Sequence, residues 1–481
     1  MEAAISAIAG DLFGRLISFL INKCTDKATI DEKLERLQQL LLRIHAVVTE
    51  ADGRYITNPW MLMQLKLLVA SMYRGYHILD IFRYKSLVEN IAHDEVRSSL
   101  HTRLTSSIPL KRVRAITATT RIFSESDDLH HVLENLEAAI ANMSEFVLLL
   151  VGCESMSRRP FDTYLYIDNF MFGRHIEKQQ VITTLLQNPE HHDVLPVIGG
   201  YRVGKKALVG HVCNNDRIRS YFASILFING ESICRRIEQA KLSNERTLTI
   251  VEFLTDVDDD DWLKFYSNLV ATTAKGSKVI IISRIRNLAR FGTTKTVFLN
   301  SLSHEEFSYL FKKLAFGSTD EKDYPHMVSI ANELAILLGG SLIPANVVAD
   351  LLRTNLNIQF WLRILRRFKG MVDNNLSRYG EHPKNILENE RPIDLTSFIS
   401  SCHGSLRLMP PRVERDKDCP KRKPPNVSLG DLIRGCTIPK GEFMLVAWES
   451  RIAPYTKHVC VAACTDDNGC RTSARKRRSI I

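Results

Sequence analysis

The chain has 481 residues, enough for two to four domains at roughly 100–200 residues each. Apolar residues make up 45% and charged residues 25%, which excludes a disordered or fibrous protein, and the net charge of +10 identifies no partner. No apolar run reaches the ~20 residues that cross a bilayer, and Asp11 and Arg15 interrupt the N-terminal apolar stretch. We therefore expect neither a signal peptide nor a membrane span, and we expect the ten cysteines to be reduced thiols.

Residues 1–150 carry apolar side chains at the three- and four-residue spacing of amphipathic helices. Thr29 and Glu32 have the spacing of a helix-capping box, and Asn58-Pro59 is typical of a cap followed by a first helical residue. Short connections between such helices predict an antiparallel four-helix bundle over 1–150, followed by a linker over 151–170. The apolar stripes lie at 5–19, 30–48, 62–79 and 129–150.

The pattern then changes to short β-rich runs that alternate with helical segments. Such alternation predicts an α/β domain over 171–302, with a parallel sheet like that of P-loop NTPases and helices on both faces. A helical subdomain is expected over 303–375. Residues 376–481 are rich in proline and basic residues, so we expect a partly disordered extension with one strand at 443–448. The strands of the α/β domain are predicted at 194–198, 225–228, 248–251, 279–282 and 297–299.

The run Gly199-Gly-Tyr-Arg-Val-Gly204-Lys205 follows the first of these strands and opens a helix. Two glycines at this spacing followed by lysine match a phosphate-binding loop, in which backbone N–H groups and the helix N-terminus surround phosphate oxygens. A strand-to-helix turn with a basic tip is the simpler alternative. The predicted nucleotide-binding residues in this loop are Gly199, Gly200, Gly204, Lys205, Lys206 and Ala207.

Two positions differ from the residues that an active phosphate-loop enzyme carries there. Lys206 stands where a serine or threonine hydroxyl would ligate Mg²⁺, and an ammonium group cannot ligate a cation. Glu252 ends the strand that should carry two acids, but Phe253 replaces the second acid. Glu252 is thus a weak catalytic candidate, the five aspartates over 256–261 are expected to form a solvated loop, and Mg²⁺ binding is in doubt. We expect no ATPase activity.

Three further stretches carry a family resemblance: the run 172–178 (FGRHIEK), the run 276–284 (GSKVIIISR) and the run 299–311. In this order they resemble the nucleotide-binding domain shared by plant resistance proteins and apoptotic ATPases, and the helical bundle resembles the coiled-coil domain of those receptors. The chain thus resembles a plant coiled-coil NB-ARC disease resistance protein, truncated, without leucine-rich repeats and with degenerate nucleotide motifs. The resemblance implies that Arg284 senses the terminal phosphate, that Pro344 contacts adenine and that Asp80 belongs to a docking motif. The family's MHD triad is not found.

The resemblance implies a plant defence protein that acts through contacts of its helical bundle with other receptors or host proteins, or with itself. ADP or ATP would be a structural ligand. A nucleotide-free decoy and an active ATP-driven switch are the alternatives. We expect a cytoplasmic protein, with the basic runs 421–423 and 475–478 as candidate nuclear import signals. No nucleic-acid surface is expected, and no metal site, because the cysteines near His458 are irregularly spaced (Cys460, Cys464 and Cys470).

Overall fold

The computed structural model describes residues 30–101, 125–155, 172–187, 190–230, 245–399, 404–409, 426–435, 439–449 and 457–465. Several sequence predictions lie outside these residues. They are the helix at 5–19, most of the linker 151–170, the proline-rich stretch after 409, Cys470 and both basic runs. Within the described helices, none is long and apolar enough to cross a membrane.

The N-terminal helices pack around one apolar core, as the stripes predicted. Asn58 caps the second helix, where its Oδ1 accepts a hydrogen bond from the Trp60 backbone N–H at 2.9 Å. The predicted last helix is divided at Asn142, because asparagine competes for backbone hydrogen bonds and is unfavourable inside a helix. The helices are α1 (Ile30–Asp52), α2 (Pro59–His101), α3 (Glu125–Ala141) and α4 (Met143–Val151).

The α/β domain contains the predicted parallel sheet, in the order β2-β3-β4-β1-β5. Its central strands are buried on both faces, which explains their continuous valine and isoleucine runs. The bounds of the strands are β1 (Val194–Gly199), β2 (Ser224–Asn229), β3 (Thr247–Phe253), β4 (Lys278–Ser283) and β5 (Val297–Leu299). The helices are α5 (His175–Leu186), α6 (Lys205–Cys213), α7 (Asp216–Tyr221) and α8 (Asp259–Thr272).

The strand that precedes the phosphate loop has a particular place in this sheet. β1 lies between β4 and β5, with parallel pairing on both sides. After β1 the chain crosses to β2, which forms one edge of the sheet, whereas β5 pairs with the other side of β1 and forms the opposite edge. Ligands of open α/β sheets bind at such a reversal of strand order, outside the carboxyl ends of the strands. The loop that begins at Gly199 occupies this place.

The helical subdomain begins with the capping box of Ser303 and Glu306, in which each side chain accepts from the other residue's backbone N–H. Its helices are α9 (His304–Phe316), α10 (Pro325–Leu338), α11 (Leu342–Thr354), α12 (Ile358–Tyr379) and α13 (Pro383–Glu388). The predicted boundary at 375 falls inside α12, so this unit extends beyond its expected end.

The extension predicted over 376–481 contains more regular structure than the sequence indicated. The predicted strand at 443–448 is confirmed within β9, but it belongs to a five-stranded sheet of order β6-β7-β10-β9-β8. Side chains of this sheet, including Phe443 and Cys460, share one buried cluster with the helical subdomain. The remaining elements are β6 (Ile393–Asp394), β7 (Ser405–Leu408), β8 (Asn426–Ser428), α14 (Leu429–Arg434), β9 (Gly441–Glu449) and β10 (Lys457–Thr465).

Candidate nucleotide site

The phosphate loop has the backbone shape that its glycines predict. Gly204 precedes α6 with φ of 93°, a left-handed conformation that glycine adopts without steric cost. A Cβ on Gly199 would come within 2.6 Å of the Leu299 carbonyl oxygen, so glycine is needed where β1 meets β5. Arg202 is one of only two described non-glycine residues with positive φ, at 53°. The loop is therefore held in one tight conformation at the mouth of the sheet.

Lys205 folds back onto the loop. Its Nζ donates to the carbonyl oxygens of Gly199 at 2.8 Å and Gly200 at 2.6 Å. Burial lowers the pKa of Lys205 to about 8; Glu252 opposes this shift, and the nearby cations Arg284 and Lys206 add to it. These neighbouring cations repel one another, and an anion placed between them would relieve that repulsion. A phosphate group would therefore be attracted to this place.

Lys206 lies on the first turn of α6 and forms an ion pair with Glu252 at the end of β3. The distance from Lys206 Nζ to Glu252 Oε2 is 2.6 Å. Phe253 does not face this pair; it is buried against Trp262 with the ring centroids 6.2 Å apart. Ala207 follows on the same turn and is exposed. The two positions that would hold Mg²⁺ in a phosphate-loop enzyme are thus engaged with each other.

The acidic run after β3 was expected to be a solvated loop, but its last three residues, Asp259 to Asp261, form the first turn of α8, and Asp256 and Asp259 bond Arg290. Arg290 donates to Asp256 at 3.0 Å and to Asp259 at 2.9 Å. Hydrogen bonds from Asn287 and Arg290 lower the pKa of Asp256. Across the residues that the structure describes, no group of three histidine, cysteine, aspartate or glutamate side chains is placed to hold a metal ion.

Arg284, at the end of β4, lies near Lys205 but has a partner on another domain. Its Nη1 donates to Glu390 Oε1 at 2.8 Å, and both side chains are about half exposed. Glu390 has a positive φ of 54°, so this contact depends on an uncommon backbone conformation after α13. Glu390 was not identified from the sequence, because 106 residues separate it from Arg284.

Pro344, on α11, lies across a small cavity from the phosphate loop. The cavity has a volume of about 40 Å³, and Tyr201, Arg202 and Pro344 are among its lining residues. Pockets that hold drug-sized ligands measure about 300–1,000 Å³, so this cavity is far smaller than a ligand pocket of that kind. In this structure α11 and the phosphate loop therefore lie close together, with little space between Pro344 and the loop.

Arg174 positions the phosphate loop, a role that the sequence motifs did not indicate. Its side chain is buried and donates to the Asn300 carbonyl oxygen at 2.5 Å and to the Val203 carbonyl oxygen at 3.5 Å. It therefore ties the phosphate loop to the chain after β5. The only sequence signal was its place in the Gly173-Arg174 pair at the start of the domain.

The C-terminal sheet also reaches the phosphate loop. Arg202 Nη2 lies 3.7 Å from Cys460 Sγ on β10. Burial lowers the pKa of His458, and the charges of Arg202 and Lys206 add to this effect. His458 stacks on Trp448, with ring centroids 5.9 Å apart. This loop is therefore in contact with the part of the chain where the sequence signals were weakest.

Asp80 lies away from this site, where α2 of the bundle packs against α9 of the helical subdomain. Its carboxylate forms an ion pair with Lys312, and Lys312 also lies 3.5 Å from Glu321. Burial raises the pKa of Asp80, and the charge of Lys312 opposes this shift. Tyr309 of α9 joins the apolar core of the bundle, with its ring 5.0 Å from that of Tyr73. The structure thus places Asp80 in an intramolecular interface.

A second contact joins the bundle to the α/β domain. Arg217 of α7 pairs with Glu154, and its guanidinium lies 3.8 Å from the centroid of the Tyr55 ring. Asn215 Nδ2 lies 3.5 Å from the Tyr55 hydroxyl. The bundle is therefore held by polar contacts to both the α/β domain and the helical subdomain.

Comparisons with known proteins match the N-terminal region to one family model and most of the chain to plant disease resistance proteins. Residues 8–112 match the family model of the Rx N-terminal domain. The chain is 23% identical over 372 residues to the disease resistance protein RGA2 of Solanum bulbocastanum, which covers 71% of this chain and 36% of that protein. It is also 23% identical over 403 residues to the putative disease resistance RPP13-like protein 1 of Arabidopsis thaliana, covering 76% of this chain and 37% of that protein.

The N-terminal region is therefore similar to the Rx N-terminal domain, and the chain has a distant similarity to plant disease resistance proteins. It spans just over a third of the length of these relatives. Among solved structures, domain III of the Thermotoga maritima replication initiation protein DnaA matches 48% of this chain and 97% of that chain. That match has 14% sequence identity and a TM-score of 0.26, a likeness that says nothing about function.

Proposed function

We propose that the chain is a plant defence protein of the intracellular immune receptor class. It acts by protein–protein contact through its helical bundle, and it holds ADP or ATP as a structural ligand without hydrolysing it. The observation that carries nucleotide binding is the set of three cations, Lys205, Lys206 and Arg284, around a glycine loop at the reversal point of the sheet. Arg284 is near enough to Lys205 to lower its pKa, and it is the proposed contact of a terminal phosphate.

The absence of turnover follows from the same residues. Hydrolysis in phosphate-loop enzymes needs Mg²⁺ and a group that orients the attacking water. The carboxylate of Glu252 is paired with Lys206, and Phe253 is buried in the core. Loss of a magnesium ligand or a catalytic group lowers such rates by several powers of ten. The bound nucleotide would then stabilise the domain rather than drive a cycle.

A surface on the bundle supports the proposed protein contacts. Trp60, Met63 and Leu67 follow one face of α2 at three- and four-residue steps, and their exposures are 75%, 59% and 63%. Large apolar side chains in a row on a surface are typical of an interaction site. Other receptors, host proteins or a second copy of this chain are the proposed partners.

Calorimetry of the purified chain with ADP and ATP, beside a hydrolysis assay, tests the nucleotide proposal. We expect both nucleotides to bind and Lys205→Ala to weaken binding roughly tenfold to a hundredfold, the value of a charge-assisted hydrogen bond. Lys264→Ala, on α8, removes an exposed ammonium paired with Asp261 and serves as the control. Multiple-turnover hydrolysis, or binding that is unaffected by Lys205→Ala, would contradict the proposal.

One observation favours a second candidate, a nucleotide-free decoy. The cavity beside Pro344 is far smaller than pockets that hold drug-sized ligands, and the ammonium of Lys205 already donates to two loop carbonyls. A decoy would need only its bundle surface. It predicts no heat of nucleotide binding and a partner interaction that Lys205→Ala leaves unchanged.

A further inference from the structure

The pair of Lys206 and Glu252 lies where a magnesium ion would bridge the loop and β3. In phosphate-loop proteins a hydroxyl on the first turn of the helix and an acid at the end of a strand hold the ion between them. Here the corresponding positions carry an ammonium and a carboxylate, whose Nζ and Oε2 atoms are 2.6 Å apart. The positive charge that a bound Mg²⁺ would supply at this place is supplied here by the Lys206 side chain.

The donor set at this place does not fit Mg²⁺. An ammonium group has three N–H donors and no lone pair, so Lys206 cannot be a ligand. Mg²⁺ requires near-octahedral oxygen ligands, and Lys206 already occupies one side of the only carboxylate at the end of β3. Two of the acids that follow along the chain, Asp256 and Asp259, are bonded to Arg290 instead.

The ammonium of Lys206 is nevertheless well placed to act on a phosphate. It is about half exposed, it lies one residue after Lys205, and both lysines lie beside the N-terminal turn of α6. Lysine binds phosphate as a compact point charge, without the directional demands of a metal ion. Glu252 keeps the side chain of Lys206 at the loop, as it would have kept the ion.

On the premise that the loop binds a nucleotide as proposed above, we propose that Lys206 replaces Mg²⁺ and makes the site specific for the metal-free nucleoside di- or triphosphate. Mg²⁺ in solution removes two units of negative charge from the nucleotide, so its complex is attracted less strongly to two adjacent ammonium groups. The ion would also meet the positive charge of Lys206 at close range. Magnesium therefore competes with this site instead of completing it.

The test is calorimetry of ADP and ATP binding to the full chain, in EDTA and in millimolar MgCl₂. For the wild type we expect the affinity in MgCl₂ to be no higher than in EDTA. Lys206→Gln should weaken binding in EDTA roughly tenfold to a hundredfold, because one charge-assisted contact is lost. Lys206→Thr restores the magnesium ligand and should make binding tighter in MgCl₂ than in EDTA.

The control is Lys264→Thr, which removes the same charge from the surface of α8 and should leave binding unchanged in both buffers. Lys206 is exposed, so its variants should unfold at the wild-type temperature, and an unfolding scan checks this. Wild-type binding that is tenfold or more tighter in MgCl₂ overturns the role of Lys206 but leaves nucleotide binding intact. Absence of binding in both buffers overturns both proposals.

Discussion

Two lysine–carboxylate pairs in this chain have different surroundings. Lys312 and Asp80 meet between the bundle and the helical subdomain, where their side chains are 3% and 14% exposed. Lys206 and Glu252 meet at the mouth of the sheet, where the exposures are 56% and 30%. Water and salt screen the second pair, so it contributes little to stability. A lysine–carboxylate pair thus joins two domains in one place and lies at the phosphate loop in the other.

The largest effect is expected from breaking the buried pair. Lys312→Ala leaves the carboxylate of Asp80 buried without its cation, which costs about 3–5 kcal/mol in comparable cases. Urea unfolding followed by tryptophan fluorescence measures the loss. The matched variant Lys312→Met with Asp80→Asn removes both charges of the pair. Glu321 keeps Lys313 as a partner at 3.4 Å, so this variant should recover much of the stability. A loss below about 1 kcal/mol in the single variant would show that the pair does not hold the bundle.

The same interface should respond to acid. Burial, with help from His304, lowers the pKa of His77 to about 4, and the two rings lie 5.2 Å apart. Between pH 6.5 and pH 4 the unfolded chain binds a proton that the folded chain excludes, so stability falls as the pH falls. For this pKa shift the loss in the free energy of unfolding is at most roughly 3 kcal/mol. His77→Gln should remove that part of the pH dependence, and equal pH profiles for both proteins would refute the assignment.

A smaller effect is expected at the phosphate loop, where nucleotide affinity should fall as the pH rises. Lys205 has a pKa of about 8 in the free protein, and a bound phosphate would raise it. Nucleotide affinity should therefore fall above pH 8, by at most about tenfold per pH unit for one linked proton. Calorimetry in buffers of different ionisation enthalpy detects the proton taken up on binding. Affinity that is constant from pH 7 to pH 9.5 would exclude a contact between Lys205 and phosphate.

The smallest effect is expected for the stability of the exposed pair. Lys206→Ala should change the free energy of unfolding by no more than about 0.5 kcal/mol, because exposed ion pairs are weak. Urea unfolding of this variant without nucleotide checks the value, with Lys264→Ala as a surface control. A loss of about 2 kcal/mol or more would mean that Lys206 has a structural role, and the contrast between the two pairs would disappear.

Sequence patterns predicted the elements whose causes are local. Valine and isoleucine runs located the five parallel strands, proline at 59 located the start of a helix, and glycine spacing located the phosphate loop. The contacts that decide the site are not local. Lys312 is 232 residues from Asp80 and Arg174 is 126 residues from Asn300, so only the folded chain brings them together.

The C-terminal sheet shows a second reason why sequence patterns fall short. β6 has two residues and β8 has three, too few to show an alternating pattern. Their stability comes from pairing with β7 and β9 and from a core shared with the helical subdomain. The contact of β10 with Arg202 could not be read from the sequence either, because 258 residues separate Arg202 from Cys460.

The central claim is that the phosphate loop holds a nucleotide through its ammonium groups. Thermal unfolding of the full chain in EDTA, with and without ADP, tests it most directly. Ligand at about 100 times its dissociation constant stabilises the folded state by about 2.7 kcal/mol, so the wild type should unfold at a higher temperature with ADP. Lys205→Ala should lose most of that shift. No shift in the wild type at millimolar ADP, or an equal shift in Lys205→Ala, would contradict the claim.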